Sequence, residues 1–121
     1  MSQKTLSETD LKSLKDALKR CPEGTFDAAV KFRTSGDMDQ VPKIVMGIVE
    51  RYVEPEQQDL LKNKDRFALD LVEDLGIDSL TMMEIVILVE ECTDISFQNE
   101  ELRDLKTLGD VHEFMTKTIK S

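Results

Sequence analysis

Residues 73–92 read EDLGIDSLTMMEIVILVEEC, and this stretch decides the fold of the chain. From Ser79 to Cys92 there is neither glycine nor proline, and apolar side chains recur every three to four residues. That spacing is the period of an α-helix, which we predict over Ser79–Cys92. Asp78 lies immediately before it and is a residue type that caps helix N-termini. The stretch therefore predicts a capped helix that begins at a serine.

The predicted helix has two different faces. At about 100° per residue, one arc holds Met82, Ile85, Val86 and Val89, and we assign it to the core. The other arc holds Ser79, Leu80, Met83, Glu84, Ile87, Glu90 and Glu91. Mixed apolar and acidic side chains suit transient docking, because apolar contacts supply affinity and charges steer the encounter. The alternative is that neighbouring elements cover some of these apolar residues.

The first forty residues predict one helix and a connector. Ser7 is placed as the N-cap of a helix over Glu8–Arg20, in which leucines recur at near-helical spacing. Pro22 ends this helix. Residues 22–40 are rich in turn-forming and polar side chains, so we predict a connector with one short helical turn around Phe26–Phe32.

The remaining segments predict further helices around the central one. Val41–Val53 has a strong helical apolar pattern, and Leu108–Lys117 has a second. A short helix is predicted over Asn99–Asp104. Residues 55–76 form a long connection whose second half should pack onto the core through Phe67, Leu69, Leu71, Val72 and Leu75. No convincing period-2 alternation is present, so the predicted fold class is all-α.

Composition limits the domain number and the class of partner. The chain has 121 residues, the size of one domain, and its 16 basic and 25 acidic residues give a net charge of −9. Residues 1–39 are balanced in charge, whereas residues 40–121 carry the excess of acid. We divide the chain into an N-terminal helical extension and connector, 1–39, and a functional domain, 40–121. The excess of acidic residues argues against binding to nucleic acid or to an anionic membrane surface.

The cysteines and the N-terminus indicate a cytoplasmic protein. Cys21 and Cys92 are far apart and have no neighbouring Cys/His spacing, which favours neither a disulfide framework nor a metal site. The first ten residues are polar and unlike a signal peptide. The apolar runs are too short for membrane insertion.

The motif EDLGIDSL at residues 73–80, followed by Met83-Glu84 and by Glu90-Glu91, resembles the signature of acyl carrier proteins. The resemblance runs from about Leu71 to Phe114, and the helix predicted over Val41–Val53 matches the first helix of that family. It covers about two-thirds of the chain. The N-terminal extension has no counterpart in a minimal carrier protein.

The resemblance implies a four-helix bundle of three long helices and one short, with a long first loop, to which this chain adds an N-terminal helix. It implies that Ser79, flanked by Asp78 and Leu80, carries 4′-phosphopantetheine, and a helix N-terminus also favours a phosphate on physical grounds. The partners would be a phosphopantetheinyl transferase, acyltransferases, ketosynthases and other enzymes of fatty-acid or polyketide biosynthesis. They would dock on Leu80, Met83, Glu84, Ile87, Glu90 and Glu91. The protein would be a monomer and would catalyse no reaction itself.

The same residues argue against several other classes of function. An EF-hand with Gly76 at its sixth position would place Leu71 and Met82 where carboxylates are required, so we exclude it. The single histidine, His112, is expected on the surface of the last helix, and no Ser/His/Asp or Cys/His arrangement indicates an enzyme. Two alternatives stay open: an unmodified helical adaptor with the carrier fold, and a peptidyl or aminoacyl carrier.

Overall fold

The computed structural model describes residues 6–97 and 104–120, and the statements below concern these residues. They form six α-helices: α1 Glu8–Leu18, α2 Thr25–Ser35, α3 Val41–Tyr52, α4 Pro55–Gln58, α5 Ser79–Thr93 and α6 Leu108–Lys120. Short 3₁₀ turns lie at Met38–Gln40, Asp59–Lys62 and Arg66–Ala68. This part of the chain has no β-strand, only an isolated bridge between Asp70 and Thr107, which confirms the all-α prediction.

The four long predicted helices are confirmed as α1, α3, α5 and α6, with ends within three residues of those predicted. α1 begins at a reciprocal cap, in which Ser7 Oγ accepts the Asp10 N–H at 3.1 Å and Asp10 Oδ2 accepts the Ser7 N–H at 3.3 Å. Thr107 and Asp110 form the same arrangement before α6, at 3.1 Å in both directions. The short helix predicted over Asn99–Asp104 falls almost wholly outside the described residues.

The predicted connector is wrong over α2, which is an eleven-residue helix rather than one turn. Gly36 closes it in the left-handed region, with φ 72°, and its N–H donates to the Phe32 carbonyl at 2.8 Å. Ala28, Ala29 and Phe32 are buried. Two of these three side chains are single methyl groups, so α2 has no strong apolar stripe for periodicity to detect.

The core lies between α3, α5 and α6. Its largest fully buried side chains are Ile44, Ile48, Leu75, Ile77, Ile85, Leu108 and Met115. Leu14 and Leu18 of α1 and Phe32 of α2 belong to the same buried cluster. Residues 1–39 and 40–121 therefore share one core. That residues 40–121 fold without the extension stays a prediction.

The connection between α4 and α5 is anchored in its second half. Leu71 and Leu75 are buried, as predicted. The Leu71 N–H donates to the Lys106 carbonyl at 2.9 Å, and the Leu108 N–H donates to the Leu69 carbonyl at 3.0 Å. These two bonds attach the end of the connection to the start of α6.

The prediction is wrong for two side chains of this connection. Val72 is 62% exposed, and Phe67, at 36%, lies between the Arg66 guanidinium, 4.8 Å from its ring centre, and the His112 ring at 5.2 Å. His112 is consequently half-buried rather than on the surface, and burial lowers the pKa of its imidazole. In an irregular segment the spacing of apolar residues does not show which of them face the core and which face solvent.

Candidate functional site

Ser79 is the first residue of α5, and its side chain is exposed. Asp78 caps the helix as predicted: its Oδ1 accepts the Thr81 N–H at 2.8 Å. This backbone hydrogen bond holds the pKa of the Asp78 carboxyl below its ordinary value, so the cap is ionised at neutral pH. The serine hydroxyl thus lies at the positive end of a fifteen-residue helix, where an attached phosphate is favoured.

The turn before Ser79 fixes the direction of its side chain. Gly76 has φ 68°, in the left-handed region that glycine adopts without strain. On either side of it, Leu75 and Ile77 are 1% and 2% exposed, so the turn is held by buried anchors. The Ile77 N–H also donates to the Leu71 carbonyl at 2.7 Å. The chain therefore reaches Ser79 on a defined path, and this residue is exposed.

Two further carboxylates hold this turn, and their role was not predicted from the sequence. Asp70 Oδ1 accepts the N–H groups of Val72 and Glu73 at 3.0 and 2.9 Å. Asp74 Oδ2 accepts the Asp70 N–H at 2.7 Å. An aspartate that accepts N–H bonds two or three residues later is a recognised turn signal, but an acidic segment hides it among other carboxylates.

A cleft of about 720 Å³ opens beside Ser79. Its apolar lining is supplied by Leu71, Val72, Ile77, Met82, Met83 and Leu105. Lys106 lines the same cleft, as do the carboxylates of Asp70, Glu73 and Asp78. Since the carboxylates of Asp70 and Asp78 are bound to backbone N–H groups, part of their charge is already compensated. The arrangement offers a polar rim at Ser79 and an apolar interior.

The two faces predicted for α5 are present. All four residues of the core arc are buried. On the opposite side, four exposed residues follow one another at helical spacing: Leu80, Glu84, Ile87 and Glu91. We call these four residues the α5 stripe. Leu80 and Ile87 are 71% and 50% exposed, which is unusual for large apolar side chains. Met83 is half-buried between the stripe and the cleft.

Glu90 differs from the other two glutamates of this helix. It is half-buried, and its Oε2 accepts the Phe97 N–H at 2.8 Å. Phe97 itself is buried against the Phe114 ring, 5.7 Å between centres. Glu90 therefore secures the chain after α5, whereas Glu84 and Glu91 are exposed.

The N-terminal extension reaches the edge of the α5 stripe. Asp16 and Ala17 of α1 line a small cleft together with the stripe residues Glu84, Ile87 and Glu91. The Arg51 Nη1 of α3 donates to the Ala17 carbonyl at 3.1 Å and holds α1 in this position. Leu88, next to the stripe, is buried, so neighbouring elements cover part of this side of α5.

Metal-ligating and nucleophilic side chains are the other groups that could form a site among the described residues. They contain no group of three or more His, Cys, Asp or Glu side chains that could hold a metal ion. Cys92 is buried, and burial raises the pKa of its thiol to about 12, so the thiolate is scarce at neutral pH. Burial also raises the pKa of the half-buried Cys21. No helix in this part of the chain is long and apolar enough to cross a membrane.

The chain is similar to several known proteins across this site. Residues 58–115 match a family model described as "Phosphopantetheine attachment site". An acyl carrier protein of Borreliella burgdorferi is 32% identical over 81 residues, which are 67% of this chain and 95% of that protein. One of Clostridium perfringens is 33% identical over 57 residues, 46% of this chain and 75% of that protein. One of Kocuria rhizophila is 46% identical over 43 residues, which are 36% of this chain and 53% of that protein. No solved structure matches this chain.

Proposed function

This chain belongs to the acyl carrier protein family, whose cofactor is 4′-phosphopantetheine, and from that premise we propose that Ser79 is the attachment residue. The observation that carries the proposal is the exposed Ser79 hydroxyl at the capped N-terminus of α5, beside an open cleft. Attachment joins the serine oxygen to the phosphate of the arm in a phosphodiester. Coenzyme A is the donor, and its nucleotide part leaves.

The residues around Ser79 fit this group. The first-turn N–H groups of α5 and the Lys106 ammonium can compensate the phosphodiester charge. The apolar side of the cleft, with Leu71, Ile77 and Met82, can shelter a carbon chain from water. When bound, the cofactor supplies a terminal thiol that holds an acyl group as a thioester.

We propose that the protein carries acyl intermediates for fatty-acid or polyketide biosynthesis in the cytoplasm and performs no reaction itself. Its own residues present the arm: Asp78 fixes the start of α5, Gly76 directs the chain, and the α5 stripe meets the enzymes. These are a phosphopantetheinyl transferase, acyltransferases, ketosynthases and other acyl-chain enzymes.

An acyl-loading experiment tests this function. With a phosphopantetheinyl transferase and acetyl coenzyme A, the protein should gain one acetylated arm by intact mass. Neutral hydroxylamine should then remove the acetyl group alone, since it cleaves thioesters and leaves the phosphodiester. If several transferases all leave the protein unmodified, the result would favour the adaptor alternative. An acetyl group that resists hydroxylamine would contradict a thioester.

The docking face rests on exposure and charge. Leu80 and Ile87 offer apolar contact close to Ser79, while Glu84 and Glu91 offer carboxylates to basic patches on the enzymes. Met83 extends the face toward the cleft. Glu90 borders the face, although its carboxylate is already bound to the Phe97 N–H. A carrier must release each partner, so we expect the charges to act mainly on the association rate.

Replacing Glu84 and Glu91 by lysine reverses the charge of this face and leaves the hydrogen bond between Glu90 and the Phe97 N–H intact. Modification of E84K/E91K by the transferase should be about tenfold slower than wild type at low salt, and the difference should shrink as salt screens the charges. E23K/E113K is the matched control, since both glutamates are exposed and lie outside the stripe. Equal modification rates for the two variants would show that only the net charge matters. A wild-type rate for E84K/E91K would show that these two carboxylates do not take part in docking.

A further inference from the structure

The N-terminal extension carries an open groove between α1 and α2, with a volume of about 600 Å³. Its apolar floor is formed by Leu11, Phe26 and Val30, all half-buried. We call it the α1–α2 groove. Its lining residues span about one and a half turns of each helix, and Phe26 and Val30 lie one turn apart on α2. The groove therefore suits two or three apolar side chains that project from one face of another helix.

Positive charge surrounds this apolar floor. Lys12 and Lys15 of α1 and Lys31 of α2 line the groove, and all three are exposed. Asp27 sets one carboxylate against these three ammonium groups. The whole chain carries a net charge of −9, so this local excess is opposite in sign to the rest of the molecule. It favours an acidic occupant, which the glutamates of the α5 stripe would repel.

The α1–α2 groove is separate from the proposed docking face. Its lining residues belong neither to the α5 stripe nor to the cleft beside Ser79. They also precede residues 58–115, which match the family model, so that match says nothing about the groove. A partner that occupies the groove therefore covers side chains other than those that present the arm.

We propose that the α1–α2 groove binds an acidic amphipathic helix of another protein. The apolar face of that helix packs on Leu11, Phe26 and Val30, and carboxylates on its flanks pair with the three lysines of the rim. The contact is small, so we expect a dissociation constant of about 10–100 μM. Together with the function proposed above, on which this role rests, the contact tethers the carrier to one protein while the α5 stripe exchanges enzymes.

Binding of a synthetic peptide to the unmodified full chain tests the proposal. The probe is a helical peptide of about sixteen residues, with leucines along one face and glutamates on both flanks. Fluorescence anisotropy of the labelled peptide, in reducing buffer, should give a dissociation constant in the expected range. A peptide of the same composition, with its leucines distributed around the helix, should bind at least tenfold more weakly because it cannot fill the apolar floor. K12E/K15E/K31E should weaken binding of the first peptide at least tenfold.

K43E/K62E/K64E is the matched control, since these three exposed lysines lie outside the groove and their replacement gives the same net charge as K12E/K15E/K31E. It should weaken binding much less than the groove variant does, because its charges act only from a distance. In NMR spectra of the wild-type chain, the peptide should shift the amide signals of α1 and α2 and leave those of the α5 stripe unchanged. Circular dichroism checks that every variant is folded.

Four results would overturn the proposal: no binding at about 1 mM peptide, equal binding of the two peptides, equal losses in the two lysine variants, or shifted signals only outside α1 and α2. Vesicles of phosphatidylcholine and phosphatidylglycerol test the competing occupant. Co-sedimentation of the chain with these vesicles that K12E/K15E/K31E abolishes would assign the groove to a lipid surface instead.

The tethering role has its own readout. A transferase should modify Ser79 at the same rate with and without saturating peptide, because the two sites share no residue. Slower modification in the presence of the peptide would contradict independent sites. No modification in either case, with peptide binding intact, would count against the proposed function and leave the groove as a helix-binding site.

Discussion

Ser79→Ala is expected to abolish attachment of 4′-phosphopantetheine completely. The phosphodiester requires the serine oxygen, and alanine offers no atom in its place. The fold should be unaffected, because Ser79 is exposed, alanine is a good helix former, and the cap acts through Asp78 on the Thr81 N–H. Intact mass after incubation with a transferase and coenzyme A should show one added arm on wild type and none on the variant.

Ser96→Ala is the matched control for this result. Ser96 is also exposed and lies shortly after the same helix, but it does not line the cleft. This variant should be modified at the wild-type rate. A full adduct on the Ser79 variant would mean that the arm is attached elsewhere.

Gly47→Ala should have the largest effect on stability, with a net loss of about 1–3 kcal/mol in the free energy of unfolding of the full chain. A Cβ at Gly47 would strike the Thr25 hydroxyl and lie 3.0 and 3.1 Å from Thr25 Cγ2 and Cβ. Thr25 is only 4% exposed, so it has little room to move. Urea unfolding followed by circular dichroism measures the change.

The same substitution should have the opposite sign in the fragment 40–121. Without α2, Gly47 has no Thr25 to strike, and alanine is better than glycine in a helix by about 1 kcal/mol. The fragment itself should unfold cooperatively at lower stability than the full chain, because Leu14, Leu18 and Phe32 no longer cover the core. A fragment without a cooperative transition, or one that Gly47→Ala destabilises, would contradict the division at residue 39.

The sequence predicted the elements that have a strong apolar period. α3 and α5 bury aliphatic side chains at regular helical spacing, so their limits and core faces followed from the pattern alone. The helix α2 was not predicted because most of its buried side chains are small or polar, namely Thr25, Ala28 and Ala29, and its contact with α3 places Thr25 against Gly47. Close packing of small side chains leaves almost no hydrophobic signal in one sequence.

The candidate site was predictable where it depends on neighbours in the chain. Asp78, Ser79 and Leu80 lie where the motif and the helix start placed them. The difference between Glu90 and Glu84 was not predictable, because it depends on a chain reversal at Asp94, φ 59°, which brings the Phe97 N–H back to α5. The position of α1 beside the stripe is likewise a long-range contact.

The most direct test of the central claim locates the arm on the chain. Trypsin should release residues 67–103 as one peptide, since no lysine or arginine lies between Arg66 and Arg103. Fragmentation of this peptide in a mass spectrometer, from protein modified by a transferase, distinguishes Ser79 from Ser96 by the mass of each fragment. We predict the phosphopantetheine on Ser79 alone. An arm found on Ser96, or on any peptide outside 67–103, would contradict the account.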